Sequence, residues 1–368
     1  MSNKKIIDIV IPVFNEEKYL SKCLDSVLSF KIPQNIDIII YIIDGNSTDK
    51  TKNIVLSYSE IHNNIFYVYN EKKIQSCALN LGIKIGSGDF LMRLDAHSYY
   101  PEDYLLNCYN LSIETTAENV GGIVITLPGG VNFEARLVQA ITTHKFGVGN
   151  SSFRTEEKVG EVDTVPFGFF KKDIFNKIGL FDERLVRCQD YEFNRRIIAN
   201  NGKIIMNSKI FTEYFNQKSL LDFYKKQLFK EAPYNPYMWY LANYAFAVRH
   251  AITGVFASGI IMGIFLSIIF PIIFKIFLPF LCLYAILAIL SSIQQAIRFN
   301  TYSFILLLPF CFFFYHFIHG LGVVKGIIKL ALNISPVQKG QNPWQDASNF
   351  YLKNSKNYKL PKLFISNE

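Results

Sequence analysis

The chain has 368 residues, half of them hydrophobic, and a net charge of +8. That length admits one large domain or two ordinary ones. Its six cysteines lie far apart, at 23, 77, 108, 188, 282 and 311, without a CxxC pair, which excludes an evident disulfide framework or zinc site.

Ile6–Val13 is apolar and β-branched and reads as the first strand. It is too short, and interrupted by Asp8 and Pro12, to be a signal peptide, so the N-terminal region is expected in the cytosol. Glu16–Leu28 has apolar residues at Leu20, Leu24, Val27 and Leu28, the spacing of one helical face. Ile36–Ile43 predicts a strand, Asp49–Tyr58 a short helix, Ile65–Tyr69 a strand and Gln75–Ile85 a helix. Asp89–Leu94 and Val120–Thr126 are further strands, with a helix between them starting near Pro101. Nearly all-apolar strands alternating with helices predict a parallel sheet covered on both faces. Ligands of such sheets bind beyond the carboxyl ends of the strands.

The composition changes near Arg249. From Ala251 to Val324 there is no acid, and Lys275 and Arg298 are the only formal charges. They divide the region into Ala251–Phe274, Ile276–Ile297 and Phe299–Val324, each long enough for the ~20 apolar residues of a spanning helix. Seven lysines follow, from Lys325 to Lys362, and Lys225, Lys226 and Lys230 precede. Three crossings would place the lysine tail outside, against the preference of basic flanks for the cytoplasmic leaflet. Two crossings plus a re-entrant hairpin turned by Pro271 and Pro279 would keep it inside. Both readings stand at this point. Tyr234, Tyr237, Trp239, Tyr240 and Tyr244 read as an interfacial belt. The basic residues form no compact stripe beside stacking aromatics, so nucleic acid is not an expected partner. The resulting division is 1–232 for the sheet domain, 233–250 for an interfacial segment, 251–324 for the membrane region and 325–368 for a lysine-rich tail.

Polar residues cluster where the strands end. The first ends in Pro12-Val13-Phe14-Asn15-Glu16, whose Asn15 or Glu16 could cap the next helix or face a ligand. The second runs into Asp44-Gly45-Asn46-Ser47-Thr48-Asp49. Thr48 and Asp49 suit a helix start, whereas Asp44 can either close an Asx-turn or accept hydrogen bonds from a nucleoside. The fourth ends in Arg93-Leu94-Asp95-Ala96-His97. In extended geometry Asp95 and His97 point the same way, and a carboxylate with an imidazole suits a divalent cation. Asp190 falls in the first turn of a helix running to about Asn200, on or near its buried face, where a general base could sit.

PVFNE, IIDGNSTDKT, NLGIKIGSGDFLMRLDAH, VPFGFF and QDYEFNRR, in that order over residues 6–200, resemble the family 2 glycosyltransferases of GT-A fold. The likeness is to the membrane-attached bacterial exopolysaccharide branch of succinoglycan type. It implies an α/β GT-A nucleotide-binding sheet with helices on both faces, followed by a C-terminal transmembrane helical region. Residue by residue, it implies Asp190 as catalytic base and Asp95 with His97 as metal ligands. Pro12, Asn15, Glu16, Asp44, Lys73, Arg93, Gly168 and Gln189 become substrate-binding residues. Two positions depart from the family pattern: His97 stands for its second acid and Gln189 for its usual Glu. A clear QxxRW is absent, which favours transfer of one sugar over processive synthesis.

The resemblance thus implies an enzyme: an inverting transferase using Mn2+ or Mg2+ and a nucleotide-sugar, with UDP as the expected carrier. The apolar region implies an acceptor held in the lipid bilayer, such as a polyprenyl diphosphate-linked saccharide. The expected location is the inner (plasma) membrane, multi-pass, with the catalytic domain cytoplasmic, alongside other polysaccharide-biosynthesis proteins. A processive polysaccharide synthase and a non-catalytic nucleotide-binding membrane protein are the competing readings.

Overall fold

The structure is a computed structural model and describes residues 4–155 and 159–338. Most of the lysine tail therefore lies outside the described residues. The chain divides into two compact units. The first holds residues up to Ile125 and 159–214, and the second holds Thr126–Thr155 and 215–338.

The first unit is built on a nine-stranded sheet. Its strands are β1 Lys5–Val13, β2 Ile36–Asp44, β3 Ile65–Tyr69, β4 Phe90–Arg93, β5 Ser98–Tyr99, β6 Asn119–Leu127, β7 Gly160–Glu161, β8 Phe169–Lys171 and β9 Ile204–Phe215. They run in the order β3-β2-β1-β4-β8-β6-β9-β5, with β7 on β9. β1 to β4 pair in parallel, with Val13 opposite Asp44 at the carboxyl end. Beyond β4 the pairing is antiparallel, β4 with β8 and β8 with β6. The sheet is therefore mixed rather than wholly parallel as expected. The apolar runs of β1 and β2 are long and buried on both faces. β5, β7 and β8 are two or three residues each and carry no periodic signal.

Helices α1 Leu20–Leu28, α2 Thr51–Ile61, α3 Gln75–Ile85 and α4 Tyr104–Thr115 connect the parallel half. Ile7, Ile9 and Ile11 of β1 are wholly buried, each worth about 1.5–3 kcal/mol. Asp8 between them is wholly buried too. Its Oδ2 accepts from the Gly88 amide at 2.8 Å and from Lys172 Nζ at 2.8 Å. A Cβ at Gly86 or Gly88 would meet this carboxylate at 2.2 or 2.9 Å. The Gly86-Ser87-Gly88 turn is thus small because an acid sits inside the sheet.

The second unit is helical: α5 Phe133–Thr142, α6 Lys145–Val148, α7 Ser152–Thr155, and, after α8 Asp173–Ile178 and α9 Gln189–Ala199 of the first unit, α10 Leu220–Lys226 and α11 Tyr234–Leu241. One π-helical turn, Gln227–Glu231, follows α10. Then come α12 Val248–Ile269, α13 Pro271–Arg298 and α14 Phe304–Ala331, three helices long and apolar enough to cross a membrane. Pro271 opens α13, while Pro279 lies inside it, so the chain turns at Phe270–Pro271 and not around Lys275. Helix α14 carries on through Lys325 and Lys329, past the point where the charges resume. α5 contributes Leu137, Val138 and Ile141 to a core with Phe223, Phe304, Leu308 and Phe312. Buried polar groups here are neutral: Gln295 Nε2 donates to the Thr143 hydroxyl at 3.1 Å, and His316 lies between Tyr284 Oη and the Phe146 carbonyl, each at 2.8 Å.

Candidate active site

Two loops at the carboxyl ends of β1 and β2 are stitched together. Asn15, at φ 56°, donates its amide to Ser47 Oγ at 2.9 Å, and its side-chain carbonyl accepts from the Thr48 amide at 2.8 Å. The Glu16 and Glu17 amides donate to Thr51 Oγ1 and Asp49 Oδ2 at 2.8 and 3.1 Å. Asp44 sits beneath, 1% exposed. Its Oδ1 accepts from the Ser47 amide at 2.9 Å and the Ser47 hydroxyl at 2.6 Å, and its Oδ2 accepts from Tyr67 Oη at 2.9 Å. Of the two roles open to Asp44 in the sequence, the turn is filled here. The Asp44 hydrogen bond raises the Tyr67 hydroxyl well above its ordinary value, after burial itself. Lys73, at φ 58°, brings its Cα within 3.4 Å of where a Gly45 Cβ would stand, beside the mouth of β2. Its neighbour Lys72 pairs with Glu183 at 2.6 Å. Pro12 is paired with Ile43 one step inside this rim.

A second cluster forms around Arg93, the last residue of β4, 4% exposed. Its Nη2 lies 2.8 Å from Asp95 Oδ1 and 3.4 Å from Asp190 Oδ2. Its guanidinium lies 5.2 Å from the centroid of the Phe167 ring, and its amide donates to the Gly168 carbonyl at 3.0 Å. Burial works against the charge on Arg93. Asp190 and then Asp95 outweigh it and hold the guanidinium above its ordinary value. Asp190 responds oppositely. Burial pushes its carboxyl up, Arg93 pulls it down, and Asp95 lifts it again, leaving it above the ordinary carboxylate range. Its side chain is 33% exposed, but Oδ1 is sealed and has no partner. One oxygen is thus held by Arg93 and the other is left as an unsatisfied acceptor, the condition of a group awaiting a donor.

Helix α9 fixes Asp190. Phe193 packs with Phe170, Phe175 and Phe181 at centroid distances of 5.7, 5.1 and 4.6 Å. Asn194 binds Asn119 and Thr164 at 2.7 and 2.8 Å, and Arg196 pairs with Glu192 while donating to the Ile178 and Leu180 carbonyls. Cys188, at φ 65°, turns the chain into the helix, and Phe167 is held at φ 52° under Arg93. Left-handed backbone at a non-glycine residue costs of order 1–3 kcal/mol and tends to cluster at functional sites.

Asp95 and His97 do not act as the alternating pair of an extended strand. β4 ends at Arg93, and Ala96–His97 form a turn. Asp95 faces Arg93 and Gln75, whereas His97 Nδ1 donates to Glu16 Oε1 at 3.2 Å. Among the described residues no group of three His, Cys, Asp or Glu side chains is gathered as a metal site. Asp95 Oδ1 is engaged while Oδ2 makes no hydrogen bond to the described residues. One free carboxylate oxygen fits a cation that takes most of its ligands from phosphate and water.

Two members of the site escape the sequence. Gln75 Nε2 donates to Asp95 Oδ1 at 3.1 Å. Tyr100 Oη accepts from the Asp95 amide at 2.8 Å and donates to its carbonyl at 3.2 Å. Gln75 opens α3 and reads as an ordinary helix start, and no pattern marks Tyr100.

The mixed α/β sheet, with acids gathered at its strand ends, has the form of a GT-A fold, and three long apolar helices follow it in the chain. Residues 8–179 match the family described as Glycosyl transferase family 2. Over 235 residues the chain is 33% identical to a Methanococcus voltae dolichyl N-acetyl-alpha-D-glucosaminyl phosphate 3-beta-D-2,3-diacetamido-2,3-dideoxy-beta-D-glucuronosyltransferase, covering 60% of this chain and 70% of that one. The chain belongs to glycosyltransferase family 2 and is a transferase. It is 27% identical over 216 residues to the succinoglycan biosynthesis protein ExoA of Rhizobium meliloti, covering 58% of this chain and 64% of that one. Among solved structures, S. aureus TarS 1–349 in complex with UDP-GlcNAc aligns at 20% identity and a TM-score of 0.45, covering 61% of this chain and 64% of that one.

Proposed function

We propose that the chain transfers a single sugar, with inversion, from a nucleotide-sugar carried on UDP to an acceptor anchored in the membrane, such as a polyprenyl diphosphate-linked saccharide. One observation carries this reading: acids 95 residues apart in sequence share the Arg93 guanidinium, at 2.8 and 3.4 Å. Asp190 is the base. It takes the proton of an acceptor hydroxyl as that oxygen attacks C1, while the C1–oxygen bond to the diphosphate breaks on the opposite face. Its raised proton affinity makes it a stronger base than a surface carboxylate. Arg93 holds both carboxylates in place. The Asn15–Ser47 loops, with Asp44 under them, support the nucleotide, and Lys73 lies at their edge.

Mg2+ or Mn2+, held by Asp95 Oδ2 and the substrate phosphates, would supply neutralisation of the charge growing on the leaving diphosphate. His97, with Nδ1 on Glu16 Oε1 at 3.2 Å, would offer its other ring nitrogen to such an ion.

The membrane acceptor is supported by α12–α14 and by the M. voltae relative, whose name specifies a dolichyl phosphate-linked sugar. In this reading the site faces the cytoplasm at the plasma membrane and works in assembly of a cell-surface polysaccharide with other proteins of that process. The 1–232, 233–250, 251–324 and 325–368 division is proposed for function, although compactness sets the units differently.

The test uses the full chain in lipid nanodiscs with radiolabelled UDP-sugars and extracted lipid. Asp190→Asn should lose about 10²–10⁴-fold in transfer and keep its UDP affinity. Nucleotide release at the wild-type rate by a folded Asp190→Asn protein would refute the base. Label found only in water-soluble product would refute the lipid acceptor.

A further inference from the structure

Gln189 and Asp190 are adjacent on α9, and both are tied to Asp95 by separate routes. Asp190 Oδ2 is 3.4 Å from Arg93, which is 2.8 Å from Asp95 Oδ1. Gln189 Nε2 donates to Gln75 Oε1 at 2.8 Å, and Gln75 Nε2 donates to the same Asp95 Oδ1 at 3.1 Å. The side chains close a ring: Asp190, Arg93, Asp95, Gln75, Gln189 and back through the backbone.

The direction of the amide route is set by chemistry. Asp95 Oδ1 accepts there, so Gln75 presents its NH2 to it. Its carbonyl then faces Gln189, which must donate. A glutamate at 189 is acceptor-only when ionised and would face that carbonyl unpaired. This explains why a glutamine stands at 189 in a chain that has glutamine at 75. Gln189 is 4% exposed, so water cannot easily replace the missing bond.

We infer that Gln75 is a positioning residue of the transfer reaction: with Gln189 it forms a neutral strap that fixes Asp95 relative to the base Asp190 and leaves Asp95 Oδ2 free for the donor side. The inference rests on Asp190 being the base. The strap joins the start of α3 to the start of α9, while the Arg93 route joins the same two acids through β4. The two routes converge on the same oxygen, Asp95 Oδ1, and hold it from two elements.

The test is a double-mutant cycle in the full chain in nanodiscs, reading nucleoside diphosphate release and, separately, UDP binding by calorimetry. Gln75→Met and Gln189→Met keep length and lose hydrogen bonding. Each should lower kcat about 10–100-fold, the range for residues that orient a ligating carboxylate, with KM for the UDP-sugar and UDP affinity unchanged. The double variant should be no worse than the worse single, because both cut the same strap. Gln75→Glu, which keeps shape but cannot donate to Asp95, should fail like Gln75→Met. Gln75→Met within about twofold of wild-type kcat, effects that multiply in the double variant, or loss of UDP affinity equal to the loss of kcat would each overturn the strap. Gln189→Met provides the same reading should the first variant fold poorly. Asp190→Asn run beside them separates the two questions: wild-type turnover there sinks the base assignment, whereas a dead Asp190→Asn with an intact Gln75→Met sinks the strap alone.

Discussion

The sheet unit and the helical unit differ in whether they bury charged groups. Beside buried neutral groups such as Asn119 and Asn194, the sheet unit also buries charges: Asp8 with Lys172, Arg93 with Asp95 and Asp190, Glu192 with Arg196. In the helical unit the buried polar groups are amides, imidazoles and hydroxyls, such as Gln295 on Thr143 and Thr253 with His319 at 2.8 Å. Charges inside protein need partners and exclusion of hydrocarbon, and those near Arg93 also prepare a site for charged substrate. The long helices carry exposed apolar side chains such as Ile268 and Ile276, each more than 70% exposed, a surface suited to lipid. There a charge costs far more than a satisfied amide.

Breaking a buried ion pair on one side should give the largest effect. Asp8→Ala leaves Lys172 without its carboxylate and should cost about 3–5 kcal/mol, read as a lowered unfolding midpoint of the sheet unit. A fall under about 1 kcal/mol would show that this pair is not a charge-driven lock. Next comes the pH profile. Asp190 works ionised, and its proton affinity is raised, so kcat should fall on the acid side about tenfold per pH unit. That limb should start above the ~3.9 of a free aspartate. Arg93 opposes the rise, so Arg93→Met should move the limb to higher pH. A limb at the ordinary carboxylate value would show that Asp190 is not the titrating base.

The helical unit should yield less. A methyl at Gly320 would lie 2.0 Å from the Thr253 carbonyl, so Gly320→Ala should cost about 1–3 kcal/mol in detergent unfolding. Gln295→Leu removes only interhelical hydrogen bonds and should cost about 0.6 kcal/mol. A loss as large as that of Asp8→Ala would erase the contrast between the units.

Much of the parallel half was legible because long apolar runs leave few alternatives. β3 and α3 have the limits their periodicity set, Ile65–Tyr69 and Gln75–Ile85. The antiparallel half was not, since Phe169–Lys171 is three residues long and β9 alternates poorly. Asp8 is visible only as an interruption of its strand, because its partner Lys172 lies 164 positions away. Thr126–Thr155 joins the helical unit through contacts with α13 and α14 that no local pattern announces. In the site, Asp95 and Asp190 stood out as acids beside apolar runs. Gln75 did not, because a glutamine at a helix start is common and its meaning comes from Gln189, 114 positions on. Alternation pairs His97 with Asp95, whereas a turn at Ala96–His97 ends the strand pattern and brings His97 Nδ1 to Glu16, a partner no local pattern announces.

The most direct measurement is an experimental structure of the full chain with UDP and Mn2+ bound. The account predicts diphosphate oxygens and the ion at Asp95, uridine against the Asn15–Ser47 loops, and Asp190 unobstructed on the far side of the position C1 would take. Nucleotide bound away from Arg93, Asp95 and Asp190 would contradict it.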